Sequence, residues 1–336
     1  MIGCKFMCKI SETLSDATGD TCAFGGLSVI FAGDFAQLPP VKATHLYACI
    51  DTCRREQTSS FQDTITGKML WLSIDVVIHL HHLHRQQGHE NSDFQALLSR
   101  LREGRCNAAD FNLLNSRVLT PSSSIDFSIP PWRDAPIIVY NNATKDSLNI
   151  KAAIAFAQQT SQSLQWYYSA DFYKRSPIDD NDLIDALTTL HSGETNQHLT
   201  CIPLVIGMPV LVSHNFSVDD GVVNGARGTI RTIQYTIDNK KRHRLLSVVI
   251  NIPDSTDVSF LDLPPHDYPI LPDYTDFHIN HPFSHMKLSI VRQQIPLQPA
   301  FAVTAHRSQG QTLSQAIIDL ESCKGTEAPY VMISRV

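Results

Sequence analysis

Four short tracts place carboxylate, amide and guanidinium groups just beyond apolar runs. The first, Phe31 to Val41, reads Phe-Ala-Gly-Asp-Phe-Ala-Gln-Leu-Pro-Pro-Val. In an open α/β sheet, ligands collect outside the carboxyl ends of the strands, and Gly33, Asp34 and Gln37 follow an apolar run in that way. Asp34 has the chemistry to approach a magnesium shell, and Gln37 can touch a terminal phosphate and report its presence. The plainer alternative is a Gly-Asp turn followed by a stiff Pro-Pro loop, and the tract alone leaves both readings open. The second tract, His306 to Leu313, spells His-Arg-Ser-Gln-Gly-Gln-Thr-Leu, again after an apolar run. The third, Tyr330 to Val336, spells Tyr-Val-Met-Ile-Ser-Arg-Val, and the fourth, Leu83-His84-Arg85-Gln86, follows a run ending at Leu80.

Taken together, the four tracts resemble the motor motifs of superfamily-one helicases. The resemblance is closest to the PIF-type (petite integration frequency) branch and its relatives in Helitron transposons, and it covers nearly the whole chain. It implies a RecA-like α/β fold of the P-loop NTPase type, ATP and Mg2+ as cofactors, and movement along single-stranded DNA in the 5′ to 3′ direction. Repair, recombination, telomere maintenance or transposition would be the setting, with single-stranded DNA or DNA junctions as partners and the nucleus, or else the mitochondrion, as the location. By the same resemblance Gln37 couples nucleotide state to DNA, Arg85 reaches the γ-phosphate from the second motor domain, and Arg335 is the arginine finger. A planar, permanently charged guanidinium suits a transition state whose negative charge is spread over phosphate oxygens. Gly33, Asp34, Gln309, Gly310 and Gln311 would face the nucleotide. Thr304, His306 and Ser308 would touch the DNA backbone, since short donors beside a glycine let a loop approach phosphates closely. Asn215 and the tract Gly221 to Gly228 are similar to the turn leading into the family's small accessory barrel.

The 336 residues contain no Gly-x-x-x-x-Gly-Lys-Ser/Thr loop; Gly67-Lys68-Met69 lacks both the upstream glycine and the hydroxyl residue. There is also no Asp-Glu dipeptide, and Met1-Ile2-Gly3 looks like the residues that follow the family's acidic tract. Without backbone amides to cradle phosphates, this chain alone is expected to hydrolyse little ATP and to hold the nucleotide weakly, as an N-terminally truncated motor. Two other readings stand beside it. One is a non-catalytic, helicase-derived protein that binds single-stranded nucleic acid; the other is half of a split motor, completed by a partner chain carrying the Walker loop.

The net charge of −6 excludes wholesale electrostatic coating of nucleic acid, so any nucleic-acid role rests on a local groove. No run is long and uncharged enough to cross a bilayer, no targeting signal is recognisable, and eight unevenly spaced cysteines suit a reducing compartment. No residues are assigned to a metal. His79, His81, His82 and His84 crowd together without a partner at ligand spacing. Cys4 with Cys8, and His45 with Cys49 and Cys53, fall at helical spacing and read as buried thiols on helix faces. Lys240, Lys241, Arg242 and Arg244 read as a solvated hairpin tip, and Trp166, Tyr167 and Tyr168 as core or loop anchors.

The elements that would position these groups follow from periodicity. Ile2, Phe6, Ile10 and Leu14 predict an amphipathic helix. Leu27 to Ala32 and Val76 to Leu80 predict parallel strands buried on both faces. Ser92 and Gln95 predict a capping box ahead of a helix that ends near Gly104. Ile137 to Tyr140 followed by Ala143 to Gln158 predicts a strand-helix unit. From about residue 200 the texture changes to strands at Pro209 to Ser213, Gly228 to Ile237 and Leu245 to Ile252, with Asn224-Gly225 as a hairpin signal. Asp254 to Pro282 is expected to be irregular, and Ala300 to Thr304 and Gln315 to Leu320 return to strands. The expected organisation is a remnant of a first RecA-like domain (1–80), a second RecA-like domain in two pieces (81–199 and 296–336), and an inserted small antiparallel β module, SH3-like, with an irregular loop (200–295).

Overall fold

Gly3 and Gly19 bracket the first helix, α1 (Cys4–Thr18); Gly19 ends it in the left-handed conformation at φ 72°. The computed structural model describes all residues except 1, 51–57, 81–90, 121, 128 and 285. The chain separates into one unit of residues 1–121 with 325–334 and 336, and another of 122–324 with 335.

In the first unit, α1 buries Cys4, Met7, Cys8 and Ser11, a helical stripe rotated from the one expected, and Phe6 is 57% exposed. The rotation follows from α2 (Ser59–Leu72), which Thr58 caps through the Phe61 amide and which packs across α1. Gly67 lies at that crossing, where a Cβ would sit 1.7 Å from the Cys4 carbonyl oxygen. The thiols of Cys4 and Cys8 are buried on this face, as expected. His45 to Cys49, expected to be helical, is instead a turn with Cys49 exposed; Cys53 lies outside the described residues.

Leu27 to Ala32 and Val76 to Leu80 are not strands, and Ile30 and Leu80 are each 93% exposed. An apolar run becomes a doubly buried strand only where neighbours complete its ladder and cover both faces. Among the described residues no strand pairs with either run. The helix α3 (Ser92–Arg102) starts one residue earlier than a Ser92 cap would allow, with Asn91 in the cap position, while Gly104 takes the expected left-handed conformation at φ 69°. The capping box belongs to α4 (Ala108–Ser116) instead, formed reciprocally by Asn107 and Asp110.

The second unit runs β1 (Ile137–Val139), α5 (Asn142–Gln159), β2 (Gln165–Tyr168), β3 (Ala170–Tyr173), β4 (Ser176–Pro177), α6 (Asn181–Thr189), β5 (Cys201–Leu204), β6 (Pro209–Val212), β7 (Arg227–Ile237) and β8 (His243–Asn251). It continues through β9 (Asp267–Ile270), β10 (Asp273–Asn280), β11 (Lys287–Gln294), β12 (Leu297–Pro299), β13 (Ala302–Thr304), the single turn α7 (Ala305–Ser308) and β14 (Ile317–Ile318). The last helix, α8 (Glu327–Ile333), packs against α3 in the first unit.

Three sheets result. A parallel sheet has the order β13-β1-β14, and α5 packs on it. A mostly antiparallel sheet runs β12-β6-β7-β8-β2-β5 with β9 beside β8, and encloses the main core of Val210, Ile230, Val248, Ile250 and Ile270. The third is antiparallel, in the order β10-β11-β3-β4. The mixed α/β architecture is the one expected. Asp254 to Pro282 is more regular than expected: β10 pairs with β11 from Asp273 opposite Gln294 to Asn280 opposite Lys287. Thr275 and Phe277 face inward there, a period-two alternation hidden among Asp and His residues.

Candidate functional site

In the first unit the Gly33 to Gln37 loop is organised around Asp34. The Asp34 carboxylate accepts hydrogen bonds from the Ala36 amide at 3.0 Å and from Arg102 Nη2 at 2.9 Å, and Tyr330 Oη lies 3.5 Å away. The backbone turns there too, with the Gln37 amide donating to the Asp34 carbonyl at 3.1 Å. Burial alone would raise the Asp34 pKa, but the bonds from Arg102 and Ala36 outweigh it and hold the carboxyl below its ordinary range. Asp34 is therefore an anion already committed to a cation. Gly33 has open space where a Cβ would be. Arg102, from the end of α3, carries no signal in the sequence, and Tyr330, from α8, opens a quoted tract without a role of its own, because only folding brings them to residue 34.

In the second unit, β13 ends at Thr304 and the chain turns at once into α7. Asn149 of α5 fixes this strand by clamping Ala302, accepting from its amide at 2.7 Å and donating to its carbonyl at 3.1 Å. Beside it, buried Lys145 donates to Ser192 Oγ at 2.8 Å and Gln298 Oε1 at 2.7 Å and pairs with Asp146 at 3.1 Å. Burial lowers the Lys145 pKa, and the Asp146 carboxylate opposes the fall.

Thr304 is buried, His306 is exposed, and the buried Ser308 hydroxyl donates to the Ala305 carbonyl at 2.9 Å. Gln309 and Gln311 are half-buried; Gly310 between them is exposed, at φ 87° with open space around its Cβ position. Arg307 was quoted in the sequence tract without a role. Burial pushes its pKa down, and its Nη1 is buried with no hydrogen-bond partner. The buried Oε1 atoms of Gln311 and Gln315 have no partner either. Arg335 is 1% exposed, and its carbonyl accepts from the Leu313 amide at 2.8 Å. The C-terminal arginine and the tract after β13 thus share a backbone hydrogen bond.

Folding brings Gly33, Asp34 and Gln37 together in the first unit, and Thr304, His306, Ser308, Gln309, Gly310 and Gln311 together with the Arg335 backbone in the second. Arg85 lies outside the described residues, as do His81, His82 and His84. A separate concavity of about 750 Å³ in the second unit is lined by Arg133, Phe156, Arg227 and Phe301. Nε and Nη2 of Arg227 are buried there without partners, and burial lowers its pKa. The basic hairpin tip between β7 and β8 is partly neutralised: Lys240 meets Asp179 at 2.7 Å and Arg244 meets Asp238 at 2.9 Å. Tyr167 is core, 2% exposed.

Comparison with known proteins gives one consistent outcome. Residues 5–112 match the family model described as PIF1-like helicase. The chain is 26% identical over 336 residues to the ATP-dependent DNA helicase PIF1 of Xenopus laevis, covering 100% of this chain and 43% of that protein. It is 25% identical over 312 residues to the human protein of the same name, covering 93% of this chain and 39% of the relative. It thus spans less than half the length of these curated relatives. Among solved structures, Pif1 helicase from Bacteroides in complex with ADP-AlF3 and ssDNA aligns with a TM-score of 0.62 at 18% identity, over 100% of this chain and 66% of that one. Pif1 helicase from Candida albicans aligns with a TM-score of 0.59 at 21% identity, over 100% of this chain and 68% of that one. At these identities the structural likeness establishes the fold.

Proposed function

We propose that this chain, which is similar to the PIF1-like helicases, supplies the nucleotide-sensing and DNA-gripping parts of an ATP-dependent DNA helicase. The observation that carries the reading is the turn after β13. It leaves the carboxyl end of a parallel strand, the side of an α/β sheet where ligands collect, and there it presents His306, an open Gly310 and the desolvated, unpartnered Nη1 of Arg307. A buried guanidinium donor without an acceptor suits an anion.

The residues fit a nucleoside triphosphate on part of its surface. In the second unit Gln309, Gly310 and Gln311 would face the nucleotide, and in the first unit Gly33 and Gln37 carry the nucleotide-sensing role. Bound ATP with Mg2+ supplies the free energy of phosphoryl transfer. Arg85 and Arg335 would stabilise the developing charge on the phosphate oxygens. Asp34 serves here to set the loop that carries Gln37, because its carboxylate is tied to Arg102. Thr304 and His306 would lie along the DNA backbone, with Ser308 bracing the turn from inside. The chain acts on single-stranded DNA or junctions, in the nucleus or mitochondrion, travelling 5′ to 3′ during repair, recombination, telomere maintenance or transposition. Residues 1–336 contain no Walker loop and alone hydrolyse little ATP, so turnover depends on one supplied from outside them.

The test is fluorescence anisotropy of a labelled single-stranded oligodeoxynucleotide with the purified chain, alongside a phosphate-release assay. Binding is expected without nucleotide, weakened by about three- to tenfold in Arg307→Gln and in His306→Ala, which each remove a polar phosphate contact. DNA affinity unchanged in both variants would remove the turn after β13 from DNA recognition. Brisk DNA-stimulated phosphate release by the chain alone would refute its dependence on a Walker partner.

A further inference from the structure

Three residues unremarkable in the sequence meet in the second unit. His198 precedes β5, His214 follows β6, and Asp273 opens β10, so the cluster lies where the large sheet and the β10-β11-β3-β4 sheet adjoin. Their donor atoms lie within 4.8 Å of one another. His214 Nδ1 is 2.8 Å from Asp273 Oδ2, and the two imidazole rings stand 4.7 Å apart at 70°.

His198 is the informative member. It is fully buried, and its Nδ1 lies 3.1 Å from the Asn196 carbonyl oxygen. A carbonyl only accepts, so Nδ1 carries the proton and Nε2 is left with a lone pair. Nε2 is buried with no hydrogen-bond partner. A buried polar atom without a partner is uncommon and costly. An imidazole whose one nitrogen is held by a backbone carbonyl while the other is bare is the arrangement that metal-ligating histidines adopt. The nearby Arg292 guanidinium is satisfied by Asp171 at 2.7 and 2.8 Å and by the His198 carbonyl at 3.1 Å, which leaves the imidazole lone pair uncontested.

We propose that His198, His214 and Asp273 form a binding site for one divalent transition-metal ion of the zinc class, with a fourth position open to water. Two imidazole nitrogens and one carboxylate oxygen, with no thiolate, suit zinc, nickel or copper rather than magnesium or calcium. Donors about 2.1 Å from a tetrahedral ion stand roughly 3.4 Å from each other, so on binding the 2.8 Å His214–Asp273 pair opens to admit the ion between its atoms. The partly exposed side chains of His214 and Asp273 have room to make that movement. The ion would tie the two sheets together at a point where no backbone ladder joins them among the described residues.

The experiment strips the purified chain with a chelator and titrates it with zinc chloride, then with cobalt chloride as a visible reporter. Expected are one ion per chain, the absorption bands of four-coordinate cobalt, a zinc-dependent rise in Tm, and a zinc-dependent shift of the His198 Nε2 resonance. His214→Gln and Asp273→Asn should each weaken binding by at least about tenfold and abolish the cobalt bands. Absence of stoichiometric binding, or binding undiminished in both variants, overturns the site. Should a variant unfold, an unmoved His198 Nε2 resonance in the parent chain on zinc addition overturns it equally.

Discussion

At Asp34 the carboxylate that the sequence offers to a magnesium shell is bonded to a cation of the chain itself. Its place after an apolar run suggested magnesium, yet the carboxylate is held by Arg102, an arginine contributed by α3. The pair has a definite pH signature. Because the folded-state pKa of Asp34 is depressed, the stabilisation it brings is fully present above the ordinary carboxylate range and is lost as pH falls through the lowered folded value. Arg102→Met should move the carboxyl titration of Asp34 upward, since burial then acts with less opposition. Arg102 is 50% exposed, so the accompanying loss of stability at neutral pH should stay within about 1 kcal/mol. Carbon-detected NMR of the Asp34 carboxyl through an acid titration checks this; a midpoint that stays where it was would show that the Ala36 amide, not Arg102, sets the acidity.

At the scale of elements, Gly67 looked in the sequence like part of a failed phosphate loop, and the fold gives it another task. It lets α2 cross α1 so closely that a Cβ would overlap the Cys4 carbonyl. Gly67→Ala must push the helices apart, and a loss of about 2 to 3 kcal/mol follows from overpacking at a rigid contact. A fall in Tm of several degrees by calorimetry is expected; an unchanged Tm would mean that the crossing is loose. The same comparison explains what was legible beforehand. The strand-helix unit at Ile137, the hairpin strands after Pro209 and the left-handed Gly104 are local signals, written in period, capping and turn residues, and each was readable. Leu27 to Ala32 and Val76 to Leu80 misled because apolarity states a need for burial without naming what meets it. The rotation of α1 away from Phe6, the tie between Arg102 and Asp34, and the histidine-aspartate cluster all depend on elements far apart in sequence, and no periodicity encodes them.

For the molecule as a whole, charge limits how it can hold a nucleic acid. The chain carries a net charge of −6, and two of the four cations in its most basic run, Lys240 and Arg244 at the β7-β8 tip, are paired with Asp179 and Asp238. Among the described residues, Arg227 and Arg307 of the second unit keep desolvated nitrogens without a partner. A strand bound through so small a set neutralises only about two or three phosphates. For single strands each neutralised phosphate contributes about −0.7 to the slope of log affinity against log salt, so a slope of roughly −1.5 to −2 is expected. A generic basic groove contacting many phosphates would give a far steeper dependence. Measuring oligodeoxynucleotide affinity by anisotropy between low and physiological salt separates the two. A slope steeper than about −5 would mean that phosphates are gathered by a broad surface, and the assignment of grip to a few buried arginines and short donors would fail.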